Sequence, residues 1–363
     1  MKIGIAGAGL LGRLAAGQLA RAGHEVHVFD PAAHAEARGA AGWTAAGMLS
    51  PVAELECADE NVFRLGLRTM ELWPALLAQL PLPVECRFDG SLLLAHRGDE
   101  GAAARTVDLL SSKLSSVGWA AERHPSDARS ALSTADAGVR WREAQPTKIT
   151  AEQLRDLEPS IRGPAHAWLL PHEGRIHTVQ AMQALAAVPG VHWHWGHTVD
   201  AIDAGVLRLG GGEQRFDHVF DVRGTGARPQ LPVRGVRGEI FWLQAPGLQL
   251  TRPLRLLHPR HRVYLVPRAP DLVVVGASEI ESEDRSPVSL RSTVELLAAA
   301  HSVLPELAEA RVVHSESNLR PALPDNLPLL EVQAGLTRIN GLFRHGWLIA
   351  PALVEQALQE MIR

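Results

Sequence analysis

The first thirty residues, MKIGIAGAGLLGRLAAGQLARAGHEVHVFD (Met1–Asp30), decide the fold. An apolar run from Ile3 to Ala6 enters a glycine-rich turn where Gly7, Gly9 and Gly12 keep the G-x-G-x-x-G spacing. The Ala- and Leu-rich segment from Leu10 to Ala22 reads as a helix stopped by Gly23. A second apolar run, Val26 to Phe29, ends on Asp30. Strand, tight turn, helix, strand and acid is the order of a dinucleotide-binding unit. Gly7 permits the sharp turn, Gly9 lets the backbone approach a pyrophosphate, and Gly12 lets helix and strand pack closely. The helix start offers free N–H groups and the positive end of its dipole to phosphates. Asp30 is placed to accept from ribose hydroxyls, which favours NAD or FAD over NADP. The unit alone does not choose between those two.

Working outward, 363 residues are too many for one small core, so two domains are expected. A hydrophobic share of 46% with 21% charged residues is ordinary for a globular enzyme. The net charge of −4 gives no reason to expect nucleic acid or anionic lipid as a partner. Two cysteines, Cys57 and Cys86, rule out a disulfide framework and a cysteine-rich metal site. The dinucleotide unit starting at Lys2 leaves no room for a signal peptide, and no apolar run reaches membrane-spanning length; a cytoplasmic protein is expected.

Beyond Asp30, the small residues of GWTAAGMLSP (Gly42–Pro51) suit either close backbone approach to a flat or anionic group or a tight helix-packing turn. Residues 59–80 read as a helix broken near Pro74, and Ala103 to Gly118 as a second amphipathic helix. Residues 87–95 look like a turn into a strand, and 151–159 like a short capped helix. VHWHWGHTVDAID (Val191–Asp203) alternates like one strand. It places His192 and His194 on one face, but no third ligand at a suitable spacing supports a metal site. Phe216 to Pro229 is a buried strand running into Gly224 and Gly226, a second glycine-rich strand exit of the kind two-dinucleotide-fold flavoproteins carry. Val233–Gln244, His258–Arg268 and Leu272–Asp284 are three strands at hairpin spacing, hence an antiparallel sheet unlike the parallel start. Residues 289–302 read as a helix capped by Ser289, Asn318 to Leu330 as a proline-rich loop, and the C-terminal run as a helix.

Six segments in this order resemble the FAD-dependent D-amino acid oxidase family, and within it the glycine oxidases of bacterial thiamine biosynthesis. They are AAGMLSP (Ala45–Pro51), VRGVRGE (Val233–Glu239), YLVPR (Tyr264–Arg268), VGASEIES (Val275–Ser282), LRPALPDNLP (Leu319–Pro328) and FRHGWLIAPA (Phe343–Ala352). The resemblance implies an α/β fold: a two-dinucleotide-binding-type FAD domain (residues 1–80, 148–226 and 320–363) with a Rossmann-like parallel sheet, and an inserted α+β substrate domain on an antiparallel sheet (81–147 and 227–319). It assigns non-covalent FAD to Gly7, Gly9, Leu10, Leu11, Gly12, Asp30, Ala46, Gly47, Met48, Val199, Gly224, Gly226, Arg344, His345 and Gly346. Arg320 becomes the clamp for the substrate carboxylate, with Tyr264 and Arg344 beside it. Two residues depart from the family pattern: Asp30 stands where Glu is commoner, and Leu342 where many members have His.

The implied reaction is oxidation of glycine, sarcosine or small D-amino acids to the imine, with oxygen as acceptor. Ammonia, glyoxylate and hydrogen peroxide would follow, or delivery of the imine to thiazole-forming enzymes. A homo-oligomer is also implied. The chemistry agrees with the residues, because the cofactor carries the hard step and the protein needs only to orient a small amino acid and exclude water. A dehydrogenase of the same fold with a non-oxygen acceptor is the alternative. A tRNA-modifying relative is disfavoured by the acidic net charge, and an NAD-binding regulator fits only the first thirty residues.

Overall fold

The computed structural model describes residues 1–123, 144–258 and 262–362. The fold is mixed α/β with two large sheets. In the six-stranded sheet Lys2–Ala6 lies between His218–Asp221 and Glu25–Asp30, all parallel, and Val191–Trp195 extends it beyond Glu25–Asp30. On the other side Leu336–Asn340 pairs parallel with His218–Asp221, and Leu329–Gln333 closes the edge antiparallel. The apolar runs are near-continuous because both faces of these central strands are covered; Ile3, Ile5, Val26, Val28 and Phe220 are all essentially inaccessible. One face packs the Leu10–Arg21 helix and the C-terminal Gly346–Met361 helix through Leu14, Leu19 and Val354.

The eight-stranded sheet begins at its edge with Arg311–Ala322, followed by Arg234–Gln244, Leu272–Gly276, Arg262–Arg268 and Leu254–Leu257, each antiparallel to its neighbour. Ser91–Ala95 then pairs parallel with Leu254–Leu257, so this sheet is mixed. His166–Leu170 and Thr147–Ile149 complete it, although the sequence reading put residues 148–226 with the nucleotide unit. We propose that the boundary between the two units falls after residue 170.

Four local expectations are corrected. Glu60–Ala78 is one helix, with Pro74 inside it. It stays intact because it is clamped on the C-terminal helix: Gly66 lies against Leu348, Trp73 Nε1 donates to the Trp347 carbonyl, and Thr69 Oγ1 accepts from the Ala352 N–H. The proline-rich stretch is not all loop, since Asn318–Ala322 ends a twelve-residue strand and Leu329 starts another. Pro321 is tolerated because this strand pairs on one side only and Pro has no N–H to give the ladder. The Val191–Asp203 run is two strands, Val191–Trp195 and Val199–Asp203, divided by Gly196 at φ +75°. The helix expected from Ala103 to Gly118 is longer, Glu100–Arg123, and the reading of 259–261 lies outside the described residues. The caps at Ser289 and Thr150 form, the latter as a full capping box with Gln153.

Three histidines are held neutral in this fold. Burial pushes His177 down to about 4, with nearby Arg268 adding to the shift, and burial also lowers His194 and His218. In the unfolded chain they titrate near ~6.5. The unfolded state therefore binds more protons as pH falls, so stability is fully present above about 6.5 and declines down to about 4. Buried Glu173, whose pKa burial raises, works in the opposite direction. The urea midpoint should accordingly fall between pH 7.5 and pH 5, and a constant midpoint would mean that these imidazoles are not buried as neutral groups.

Candidate functional site

The glycine-rich turn is built as its spacing requires. Gly7 has φ +106°, and a side chain there would meet the Val222 carbonyl at 2.7 Å. A Cβ on Gly12 would sit 1.9 Å from the Gly7 carbonyl oxygen. Gly9 is different, because the nearest heavy atom to a Cβ there is Ala40 Cβ, 3.7 Å away. The chain itself does not require a glycine at Gly9; the open space beside it faces a cavity. Gly9 is also the cap residue of the Leu10–Arg21 helix, with no side chain satisfying the first turn. That combination fits a pyrophosphate taken up by backbone N–H groups. Asp30 Oδ2 accepts from the Ala8 N–H at 2.6 Å and Oδ1 from the Ala32 N–H at 2.8 Å. It thus ties the turn to the second strand.

One continuous cavity of ≈2190 Å³ carries all the expected site residues on its wall except Gly12, which packs behind it. This exceeds the roughly 300–1,000 Å³ usual for a single small ligand, so a dinucleotide and a substrate fit together. Gly7, Gly9, Leu10, Leu11, Asp30, Val199, Gly224 and Gly226 share this wall with Ala46, Gly47, Met48, Tyr264, Arg320, Arg344, His345 and Gly346. Leu342, buried, also lines it.

The Ala45–Met48 segment is fixed from behind. Gly47 has φ +75°, and a Cβ there would lie 2.1 Å from the Ile176 carbonyl. Thr178 Oγ1 donates to the Ala45 carbonyl at 2.9 Å, and the buried guanidinium of Arg268 donates to the Ala46 carbonyl. Desolvation lowers Arg268 to about 9, with Glu85 opposing.

Arg320 and Tyr264 project from strands of the eight-stranded sheet. Arg320 Nη1 donates to the Ser278 carbonyl at 3.0 Å, and its guanidinium is in hydrogen-bond contact with Tyr264. Two glycines on neighbouring strands make room for them. A Cβ on Gly238 would lie 2.5 Å from Arg320 Nη2, and one on Gly276 would lie 2.3 Å from the Tyr264 ring. Both sit inside strands, where glycine usually marks a close approach. Burial lowers the Arg320 pKa and raises that of Tyr264, each opposed by the other. Among the described residues no carboxylate forms an ion pair with Arg320.

Arg344 is held differently. Its Nε lies 3.0 Å from Glu54 Oε2, and Nη1 lies 3.2 Å from Glu279 Oε2. The residue before it, Phe343, has φ +47°, a costly conformation for a non-glycine. Glu54 also bonds Arg255, and His345 Nδ1 lies 3.2 Å from its other oxygen. Burial would raise the Glu54 carboxyl, but Arg344, Arg255 and His345 outweigh it and hold it well below the usual range.

Sequence reasoning missed Glu54, Arg255, Arg13 and Asn318. Arg13 is buried in the first helix, where it donates to the carbonyls of Ala8, Met182 and Ala35 at 2.6–2.7 Å. Its signal was legible: a charge in the middle of the Ala- and Leu-rich run, where the other, Arg21, sits at the helix end. Asn318 Nδ2 donates to Arg38 and Ala40 carbonyls at 3.1 and 3.2 Å and so pins the loop that closes over the first helix. His192 and His194 share a face and stack with His27, at ring centroid distances of 4.7 and 5.3 Å. No group of three or more His, Cys, Asp or Glu among the described residues is arranged to hold a metal ion.

Comparison with known proteins was made against this geometry. The chain is 35% identical over 369 aligned residues to the putative thiamine biosynthesis oxidoreductase ThiO of Rhizobium etli, covering 100% of this chain and 97% of the relative. It is 26% identical to the bifunctional protein ThiO/ThiG of Trichormus variabilis, covering 96% of this chain and 50% of that longer protein. The crystal structure of glycine oxidase from Geobacillus kaustophilus superposes with a TM-score of 0.79 at 24% identity, covering 99% of this chain and 94% of the other. The family model described as DAO, FAD dependent oxidoreductase, matches residues 2–357. The chain is therefore a member of the DAO family of FAD-dependent oxidoreductases.

Proposed function

We propose that the protein oxidises glycine, and with it sarcosine or small D-amino acids, and passes the electrons to oxygen. The observation that carries this reading is Arg320, a guanidinium on the wall of the cofactor cavity whose contacts are the Ser278 carbonyl and Tyr264. A carboxylate-bearing substrate supplies the missing anion, in a fork geometry that fixes its orientation. Tyr264 adds a hydroxyl donor to the same carboxylate.

Bound FAD supplies the two-electron acceptor. The residues of the chain do the rest. Arg320 binds the carboxylate, the Gly238 and Gly276 gaps seat Arg320 and Tyr264, and the apolar wall with Leu342 and Met48 excludes water from the amine. Glycine, oxygen and water then yield glyoxylate, ammonia and hydrogen peroxide. The names of the Rhizobium and Trichormus relatives support a link to thiazole formation, with the imine or glyoxylate as the product handed on. We take FAD to be held without a covalent bond; neither of the two thiols, Cys57 or Cys86, lines the cavity.

The test is peroxide production from glycine, sarcosine and D-alanine, with a quinone-like dye as competing acceptor. Peroxide with glycine supports the reading. Dye reduction without peroxide would make the enzyme a dehydrogenase, and no turnover with any of the three would overturn the substrate class. Acid precipitation should leave the flavin in the supernatant.

A further inference from the structure

We propose that Glu54 sets the charge of the substrate end so that the cavity accepts a single carboxylate, and that neutralising it turns the site toward dicarboxylic amines. The inference rests on the amino-acid oxidase reading above.

Of the guanidinium groups on the cavity wall, Arg255, Arg320 and Arg344 gather around Tyr264. Glu54 is the buried anion among them, on the short Pro51–Glu54 helix. One oxygen is bonded by Arg255; the other lies 3.0 Å from Arg344 Nε and 3.2 Å from His345 Nδ1. The remaining carboxylates are weaker partners. Glu56 stands 3.9 Å from Arg255, and the Glu279 side chain, 3.2 Å from Arg344, is 46% exposed and screened by water. With Glu54 ionised, Arg255 and Arg344 are both engaged on its carboxylate, and Arg320 is the guanidinium of the three with no carboxylate ion pair among the described residues. One carboxylate completes the set. A second would enter beside Glu54, where Arg255 and Arg344 are already engaged, and meet like-charge repulsion from that carboxylate. Without the Glu54 charge, Arg344 faces the cavity with only a screened partner, and a substrate bearing two carboxylates becomes the better complement. A purely structural Glu54 would leave this selectivity unmoved.

The experiment compares wild type, Glu54→Gln and Glu54→Asp as FAD-loaded proteins. Acetate and malonate are titrated against the flavin absorbance, and kcat/KM is measured for glycine and iminodiacetate. In Glu54→Gln both dicarboxylate-to-monocarboxylate ratios should rise at least about tenfold, the equivalent of one added charge-assisted hydrogen bond. Glu54→Asp, which keeps the charge, should stay near wild type. Unchanged ratios in a flavin-bearing Glu54→Gln protein would overturn the proposal. If that variant does not hold flavin, wild type decides: malonate binding about tenfold tighter than acetate overturns it, and equal or weaker binding supports it. The titrations need no turnover, so failure to oxidise glycine and failure of charge selection are separate results.

Discussion

Arg320→Ala should lower kcat/KM for glycine by roughly 10³ or more while the protein stays folded and yellow. Glycine offers little to hold beyond its carboxylate and its amine. A bidentate guanidinium on the cavity wall supplies most of the orientation that brings the α-carbon against the cofactor. Truncation removes two charge-assisted hydrogen bonds and leaves the carboxylate unpaired in a poorly solvated place, several kcal/mol at about 1.4 kcal/mol per decade. The fold should survive, because among the described residues the Arg320 side chain hydrogen-bonds the backbone only at the Ser278 carbonyl and forms no ion pair. Lys at this position should recover only part of the loss, since a point charge lacks the fork. Steady-state kinetics on the purified variant decide the matter. A folded, yellow Arg320→Ala enzyme with a normal KM for glycine would remove Arg320 from the carboxylate, and Arg344, now tied to Glu54 and Glu279, would have to take its place.

Gly12→Ala should yield a colourless protein. Its Cβ would fall 1.9 Å from the Gly7 carbonyl oxygen, a contact that backbone movement alone can relieve. Opening the turn pulls Gly7 and Ala8 from the strand end and breaks the 2.6 Å bond from the Ala8 N–H to Asp30, so two parts of the nucleotide cradle move together. A loss of FAD affinity of about 100-fold or more, roughly 3 kcal/mol, is expected, with a lowered Tm of the apoprotein. Gly9→Ala makes the contrast. Among the described residues, its chain neighbours and own helix backbone apart, nothing lies closer than 3.7 Å to that Cβ, so the apoprotein should melt as wild type does while FAD binding weakens. Equal effects of the two substitutions on the apoprotein would mean that Gly9 serves packing and not the cofactor.

The first thirty residues sufficed for the nucleotide unit because most requirements there are local, the Val222 carbonyl facing Gly7 being the exception. A turn, a helix start and a strand end lie within one supersecondary unit, and glycine spacing reports backbone demands directly. The motif resemblance then carried the family and the cofactor. What sequence could not settle was set by long-range packing. Pro74 reads as a helix break, yet its helix is continuous because Trp73, Gly66 and Thr69 are held by the C-terminal helix more than 270 residues away in sequence. Residues 318–322 read as loop from their prolines, yet the strand Arg234–Gln244 extends them into an edge strand that aims Arg320. Gly238 and Gly276 carry no local signal at all; their purpose appears only when Arg320 and Tyr264 lie across them. The same holds for Glu54, an ordinary acid in ECADE-like surroundings until the fold brings Arg255 and Arg344 to it from 201 and 290 residues away. Local backbone geometry is written in neighbouring residues, but the balance of charge in a buried site belongs to partners that only tertiary structure brings together.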